Sequence, residues 1–325
     1  MKSESSKLLA LLLSLLLLLS GCGNSIFATQ PNNEHYQEDM PGGEYTPDMW
    51  LATSPDGTGR LYLFGSIHVG DDTVFPLPEY VTDAYQESDY VAVECDIVAF
   101  EKLSADKIAE YYYPIIYTDG TTISDHIDAD IYEACKKILT ENGMYSPYLD
   151  VYHPTMWSSM LSNVALSYTD FEIDSGIDRY FINEATDDGK GILEIEDIAD
   201  QITMDLQFPD EMLSYMLSEF TEKDVFEQYD DDLTEMFAAW KTGNLEEYLL
   251  EEEQTQELTE QEEYFDELYE KVTLIDRNIG MAAKAIEYIV SGKDVFYIVG
   301  AAHMYGDNGV IALLEDEGVT VTPIN

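Results

Sequence analysis

The chain has 325 residues, with 66 acidic against 15 basic side chains and a formal net charge of −51. Such a body repels nucleic acid and anionic membrane surfaces, so nucleic-acid binding drops out of the functions to consider. A hydrophobic fraction of 45% is ample for a packed core, which argues against a disordered chain.

Residues 1–22 read as a targeting segment. Lys2 and Lys7 give a positive start, and Leu8 to Leu19 is a leucine run interrupted by Ala10 and Ser14. The run is too short for a mature membrane span but suits a signal-peptide core. It ends in Leu19-Ser20-Gly21-Cys22, which resembles the bacterial lipobox. That likeness implies a lipid on Cys22 and an extracytoplasmic protein anchored to the bacterial membrane. Residues 23–45 are polar, with Gly and Pro, and read as a flexible tether. Residues 46–325 are expected to form a single domain.

Within that domain, Trp50–Thr53 and Arg60–Phe64 flank Pro55-Asp56-Gly57 and predict a hairpin. Residues 78–88 predict a helix with Val81, Ala84 and Tyr85 on one face. Tyr90–Val93 suits a buried strand leading into Glu94. Residues 100–170 are mostly helical by pattern, with a break at Asp119-Gly120. Asp178–Ala185 predicts a helix stopped by Asp187-Asp188-Gly189, followed by a strand over Gly191–Ile195 that ends near Glu196. Residues 200–290 are helical and acidic, and are expected to insert into or cap the core. Asp294–Val299 is another buried strand, Val310–Leu314 a helix and Val319–Pro323 an edge strand. The alternation predicts an α/β fold with a central, mainly parallel sheet flanked by helices.

Two strands end alike. Leu61-Tyr62-Leu63-Phe64 runs into Gly65-Ser66-Ile67-His68, and Phe296-Tyr297-Ile298-Val299 into Gly300-Ala301-Ala302-His303. Ligands in open α/β sheets sit beyond the carboxyl ends of strands. His68, Glu94 or Asp96, Glu194 or Glu196, and His303 all fall at such ends. Glycines there would let the chain turn sharply and leave room for a ligand. Two imidazoles and one or two carboxylates suit a divalent transition metal, which would lower the pKa of a bound water toward ~7. Glu94 and Glu196 are the carboxylates able to exchange a proton. Glu94 follows an apolar run, so it is either a site residue or the partner of a cation such as Arg277. His35, His126 and His153 are assigned surface or turn roles. Cys95 and Cys135 lack CxxC spacing, and a disulfide between them stays open. Burial makes an inert free thiol the expectation for Cys95.

In order and spacing these residues resemble the TraB/GumN family, whose animal relatives are the Tiki metalloproteases, over about residues 49–324. The likeness runs through Leu63-Phe64-Gly65-Ser66-Ile67-His68-Val69-Gly70, then Ser88-Asp89 with Val93-Glu94-Cys95-Asp96. It continues with His153-Pro154-Thr155-Met156-Trp157, Gly176-Ile177-Asp178 with Ala185, and Ile195-Glu196-Asp197 with Gln201. It ends with Trp240-Lys241-Thr242-Gly243-Asn244, Arg277-Asn278 with Met281-Ala282, and Val299-Gly300-Ala301-Ala302-His303 with Gly306. The third of the family's strand ends is altered here, Ile-Glu-Asp standing for Leu-Glu-Thr. The resemblance implies a metal-dependent hydrolase, by analogy a peptidase, using Mn, Co or Zn. His68, His303 and Glu94 would hold the metal, and Glu94, Glu196, Arg277 and Asn278 would serve catalysis, the last two by polarising a carbonyl or orienting a carboxylate. The expected partner is a peptide or small-molecule substrate. Two alternatives stand beside this: a lipoprotein that binds a peptide pheromone without cutting it, and an esterase of the erythromycin-esterase type.

Overall fold

The computed structural model describes residues 45–54, 57, 59–254 and 258–325. The leader with Cys22, the tether up to residue 44 with His35, and Pro55-Asp56 of the expected turn lie outside the described residues.

Six strands form one sheet: β1 (Met49–Thr53), β2 (Arg60–Ser66), β3 (Tyr90–Val93), β4 (Gly191–Glu194), β5 (Asp294–Gly300) and β6 (Thr320–Pro323). Their order is β4-β3-β5-β2-β1-β6. β2, β3, β4 and β5 run parallel, so their carboxyl ends share one edge. β1 pairs antiparallel with β2, Met49 opposite Phe64, and with β6 on its other side. The expected hairpin and the mainly parallel sheet are both present.

The helices are α1 (Glu79–Glu87), α2 (Ile97–Glu101), α3 (Ala105–Tyr112), α4 (Ala129–Glu141), α5 (Pro154–Leu166), α6 (Ile177–Asp188), α7 (Ile198–Thr203), α8 (Asp210–Glu219), α9 (Val225–Lys241), α10 (Leu245–Gln254), α11 (Glu260–Glu270), α12 (Asp276–Val290) and α13 (Val310–Asp316). The stop after α6 works as its sequence suggests: Gly189 takes the left-handed conformation, at φ 70°, that closes a helix.

Side chains alternate across the central strands, and both faces of the sheet are covered. On one face Phe64, Val91, Val93, Phe296 and Ile298 pack with Tyr85 of α1, Phe181 of α6, and Phe237 and Trp240 of α9. Phe181 lies 4.7 Å from the Phe296 ring and 5.2 Å from Tyr85. Truncating such a residue typically costs about 3–5 kcal/mol. On the other face Leu61, Leu63, Val295, Tyr297 and Val299 meet Met281, Ala285 and Ile289 of α12 and Leu314 of α13. The last helix of the acidic stretch is thus a layer on the sheet. In the same stretch α9 covers the opposite face, while α7, α8 and α11 build a separate cluster where Cys95, Phe100, Met156, Ile202, Met212 and Phe265 meet.

His153 departs from the surface role expected of it. It is buried, caps α5, and its Nδ1 lies 2.8 Å from the Thr155 hydroxyl. The following proline fixes the helix start, and the imidazole caps it by accepting from the Thr155 N–H. Burial lowers its pKa to about 4, Asp210 opposing and His126 adding to the effect. Between about pH 4 and 6.5 the unfolded chain therefore binds more protons here than the folded one, so stability falls as the solution is acidified. His153→Asn, which retains a capping side chain, should reduce the pH slope of unfolding free energy in that window by up to about one proton. Urea titrations at several pH values measure it; an unchanged slope would refute a buried neutral imidazole.

Candidate active site at the carboxyl ends of the parallel strands

β2 and β5 are adjacent, with Ser66 opposite Gly300, so their Gly-x-x-His extensions leave the sheet side by side. Neither Gly65 nor Gly300 has a positive φ among the described residues. Their glycine character answers to space rather than to a sharp turn, which corrects the expectation from sequence. A Cβ on Gly65 would lie 2.9 Å from the Ala301 backbone. A Cβ on Gly300 would meet Glu94 Oε1 and His68 Nε2 at 3.3 Å each and His303 Cδ2 at 3.5 Å. Gly300 is therefore the point around which both imidazoles and Glu94 gather, and its N–H donates to Glu94 Oε1 at 2.7 Å.

β3 and β4 deliver the carboxylates. Their pairing continues past the strands, with Ile195 N–H donating to Val93 O and Glu196 N–H to Glu94 O, both at 2.9 Å. Glu94 and Glu196 are held side by side in this way. The alternatives from sequence resolve accordingly. Asp96 caps α2 through Ala99 N at 2.8 Å, and exposed Glu194 accepts from Asp96 N at 3.2 Å.

Arg277 joins the two glutamates. Its Nη2 is 2.6 Å from Glu94 Oε2 and 2.7 Å from Glu196 Oε2, and its Nε donates to Glu196 Oε1 at 3.0 Å. The arginine comes after a π-helical turn, Lys271–Ile275, whose Thr273 carbonyl accepts from Arg277 Nη1 at 3.2 Å. A π turn inserts extra chain into a helix and re-aims the side chains beyond it, a device common at functional sites. Glu94 pairs with Arg277, as one of its two sequence readings has it, and it also lies close to both histidines. Burial disfavours its charge, but Arg277, then His303 and His68, outweigh that and hold its pKa well below the carboxylate range. Arg277 is shifted further up by Glu94 and Glu196 against its burial.

Each imidazole is fixed through Nδ1. His68 Nδ1 lies 2.7 Å from Asp178 Oδ2, and Ser66 Oγ donates to the other Asp178 oxygen at 2.9 Å. His303 Nδ1 lies 2.6 Å from Asn278 Oδ1, while Asn278 Nδ2 donates to Asn308 O at 2.9 Å. An amide oxygen only accepts, so neutral His303 carries its proton on Nδ1 and leaves Nε2 with a lone pair. Asn278 is thereby committed to holding a ring instead of facing a substrate carbonyl. Burial favours neutral His68, yet Asp178 and then Glu94 outweigh it and raise its pKa to about 9. For His303, burial and then Arg277 lower it to about 3.

Asp178, Gln201 and Ser66 were not singled out as site residues by sequence. Asp178 and Gln201 stand in the family-like patterns; the Gly-Ile-Asp start of α6 was the available signal. Gln201 Nε2 donates to Glu94 Oε2 at 3.1 Å and to Glu196 Oε2 at 2.8 Å. Cys95 and Cys135 are buried free thiols, and burial raises the pKa of both.

The donor set suits a divalent ion. Two Nε2 atoms with Nδ1 anchored by outer partners are the usual arrangement of metal-binding histidines. His303 Nε2 is 3.9 Å from Glu94 Oε1. Ligands about 2.1 Å from one ion stand about 3.4 Å apart in a tetrahedron, so this one pair is about 0.5 Å wider than such a site requires. Among the described residues no group of three or more His, Cys, Asp or Glu already has the spacing of a metal site.

Removing one member of the buried ion pair should expose its cost. Arg277→Leu is expected to destabilise the fold by about 3–5 kcal/mol, and Glu94→Gln in that background to recover much of it. Urea unfolding of the two variants decides this; a single variant as stable as the parent would contradict it.

The sequence model of the TraB/PrgY/gumN family matches residues 48–323. The uncharacterized protein YbaP of Escherichia coli K12 is 25% identical over 283 residues, covering 85% of this chain and 95% of that protein. YbaP of Shigella flexneri matches to the same extent. No solved structure matches significantly. With its matched span carrying both Gly-x-x-His strand ends and the residues gathered around Gly300, this chain belongs to the TraB/PrgY/gumN family.

Proposed function

We propose that the protein is a metal-dependent hydrolase that cleaves an amide bond in a peptide, held outside the cell membrane by a lipid on Cys22. The observation that supports this most is the gathering of two imidazoles and one carboxylate at Gly300, each ring tied through Nδ1. His68, His303 and Glu94 would hold the divalent ion, a ligand set open to Mn, Co or Zn. When bound, such an ion supplies carbonyl polarisation and a nucleophile at neutral pH.

Glu94 acts here as a ligand rather than a base. Its Oε2 is engaged by Arg277 and Gln201, and its low proton affinity makes it a poor acceptor. Glu196 is the more accessible carboxylate, with a side chain 16% exposed against 3% for Glu94. On that greater access it is assigned the transfer of the proton to the leaving amine, although Arg277 and Gln201 engage its oxygens too. Arg277 offsets the negative charge that grows during attack. Asp178 and Asn278 keep the imidazoles aimed.

Metal content and mass-spectrometric cleavage of a peptide mixture test this. The parent should carry about one divalent ion per chain. His68→Ala and His303→Ala should each lose it and cut at least about a hundredfold more slowly. If both variants fold, bind metal and cut as the parent does, the assignment fails. A peptide that binds the parent with its mass unchanged would instead support sequestration.

A further inference from the structure

His68 and Glu94 leave the sheet from strands that are not neighbours, because β5 lies between β2 and β3. Among the described residues no strand ladder joins the His68 extension to the Glu94 extension. Their spacing above the sheet therefore depends on what packs against them. α6 starts on the first: Ile177 N–H donates to Ile67 O at 3.0 Å, and a Cβ on Gly176 would lie 2.3 Å from His68 O. Asp178, the second residue of α6, then holds the His68 ring. α2 starts three residues after Glu94, its first turn fixed by the Asp96 cap.

α2 and α6 share one apolar cluster, Ile97 and Val98 with Ile177 and Phe181. Apolar burial is non-directional and sets no exact register between two helices. A bidentate ion pair does, and one joins them. Arg179 Nη1 donates to Glu101 Oε2 at 2.9 Å, and Nη2 to Glu101 Oε1 at 2.6 Å. The two side chains are only 13% and 14% exposed. A planar guanidinium fork on a planar carboxylate fixes angle as well as distance. Arg179 adjoins Asp178, and Glu101 closes the helix that follows Glu94. Such a pair contributes little net stability, since desolvation offsets most of the attraction. Its geometry is the better account of its presence.

We propose that Glu101 and Arg179 are a positioning pair that sets the spacing between Glu94 and His68. They touch neither ion nor substrate and act through α2 and through Asp178. This rests on the metal-hydrolase reading and deepens it.

The probe is Co²⁺, titrated into the purified full chain against a competing chelator and followed by visible absorption, which reports coordination geometry as well as affinity. Arg179→Lys keeps the charge and loses the fork. Glu101→Leu with Arg179→Met replaces the pair by apolar side chains of similar size, a change that stability commonly tolerates. Both variants are expected to bind Co²⁺ about tenfold more weakly, with an altered absorption band and a urea midpoint close to the parent's. Parent-like affinity and absorption in both variants would overturn the proposal. So would a lowered urea midpoint with unchanged Co²⁺ binding by the folded protein, which would leave the pair a purely structural one. A parent that takes up no Co²⁺ would remove the hydrolase reading instead. The pair is then judged by the NMR signal of the His68 Nδ1 proton shared with Asp178: a shift or broadening in both variants supports it, and a signal identical to the parent's refutes it.

Discussion

The candidate site depends on one buried guanidinium. Arg277 reaches Glu94 at 2.6 Å and Glu196 at 2.7 Å, where both carboxylates would otherwise face each other in a medium that penalises charge. Two glutamates and Asp178 against Arg277 leave a net negative cluster, even when the raised proton affinity of His68 adds one positive charge. A net negative charge of this kind would favour a cation over an anion. The arginine makes the cluster foldable without cancelling its charge. The π turn before Arg277 matters for the same reason, because it sets where the guanidinium and the adjacent Asn278 point.

The parallel part of the sheet supplies the rest. His68 and His303 are far apart in the chain but lie just beyond adjacent strands in register. Glu94 and Glu196 likewise lie just beyond adjacent strands whose ladder runs on for two residues. Four strand ends on one edge are enough to assemble the cluster, provided nothing crowds the centre. Gly300 meets that condition, because even a methyl group there would press on Glu94 and His68 at 3.3 Å.

Much of this was legible in the chain. Apolar runs ending in Gly-x-x-His, and Glu94 behind Val91-Ala92-Val93, announce themselves through the conflict between an apolar strand and a polar terminus. Asp178 and Gln201 were hidden because each is one polar residue near a helix start, where capping explains such residues equally well. The role of Asn278 was misplaced, since sequence shows that it adjoins Arg277 but not that its amide faces His303. The burial of His153 was missed because a residue before proline reads as a turn. The place of α12 was obscured by the acidic stretch before it; only its Met281, Ala285 and Ile289 spacing ties it to the sheet.

The two imidazoles are held differently, and this gives the crevice a direction. Asp178 is a carboxylate and makes His68 the more electron-rich ring, whereas Asn278 is neutral and leaves His303 the weaker donor. On the other flank Gln201 Nε2 donates to both Glu94 and Glu196, so donors pin the carboxylate side while acceptors pin the imidazole side through Nδ1, and the two flanks of the crevice are chemically distinct.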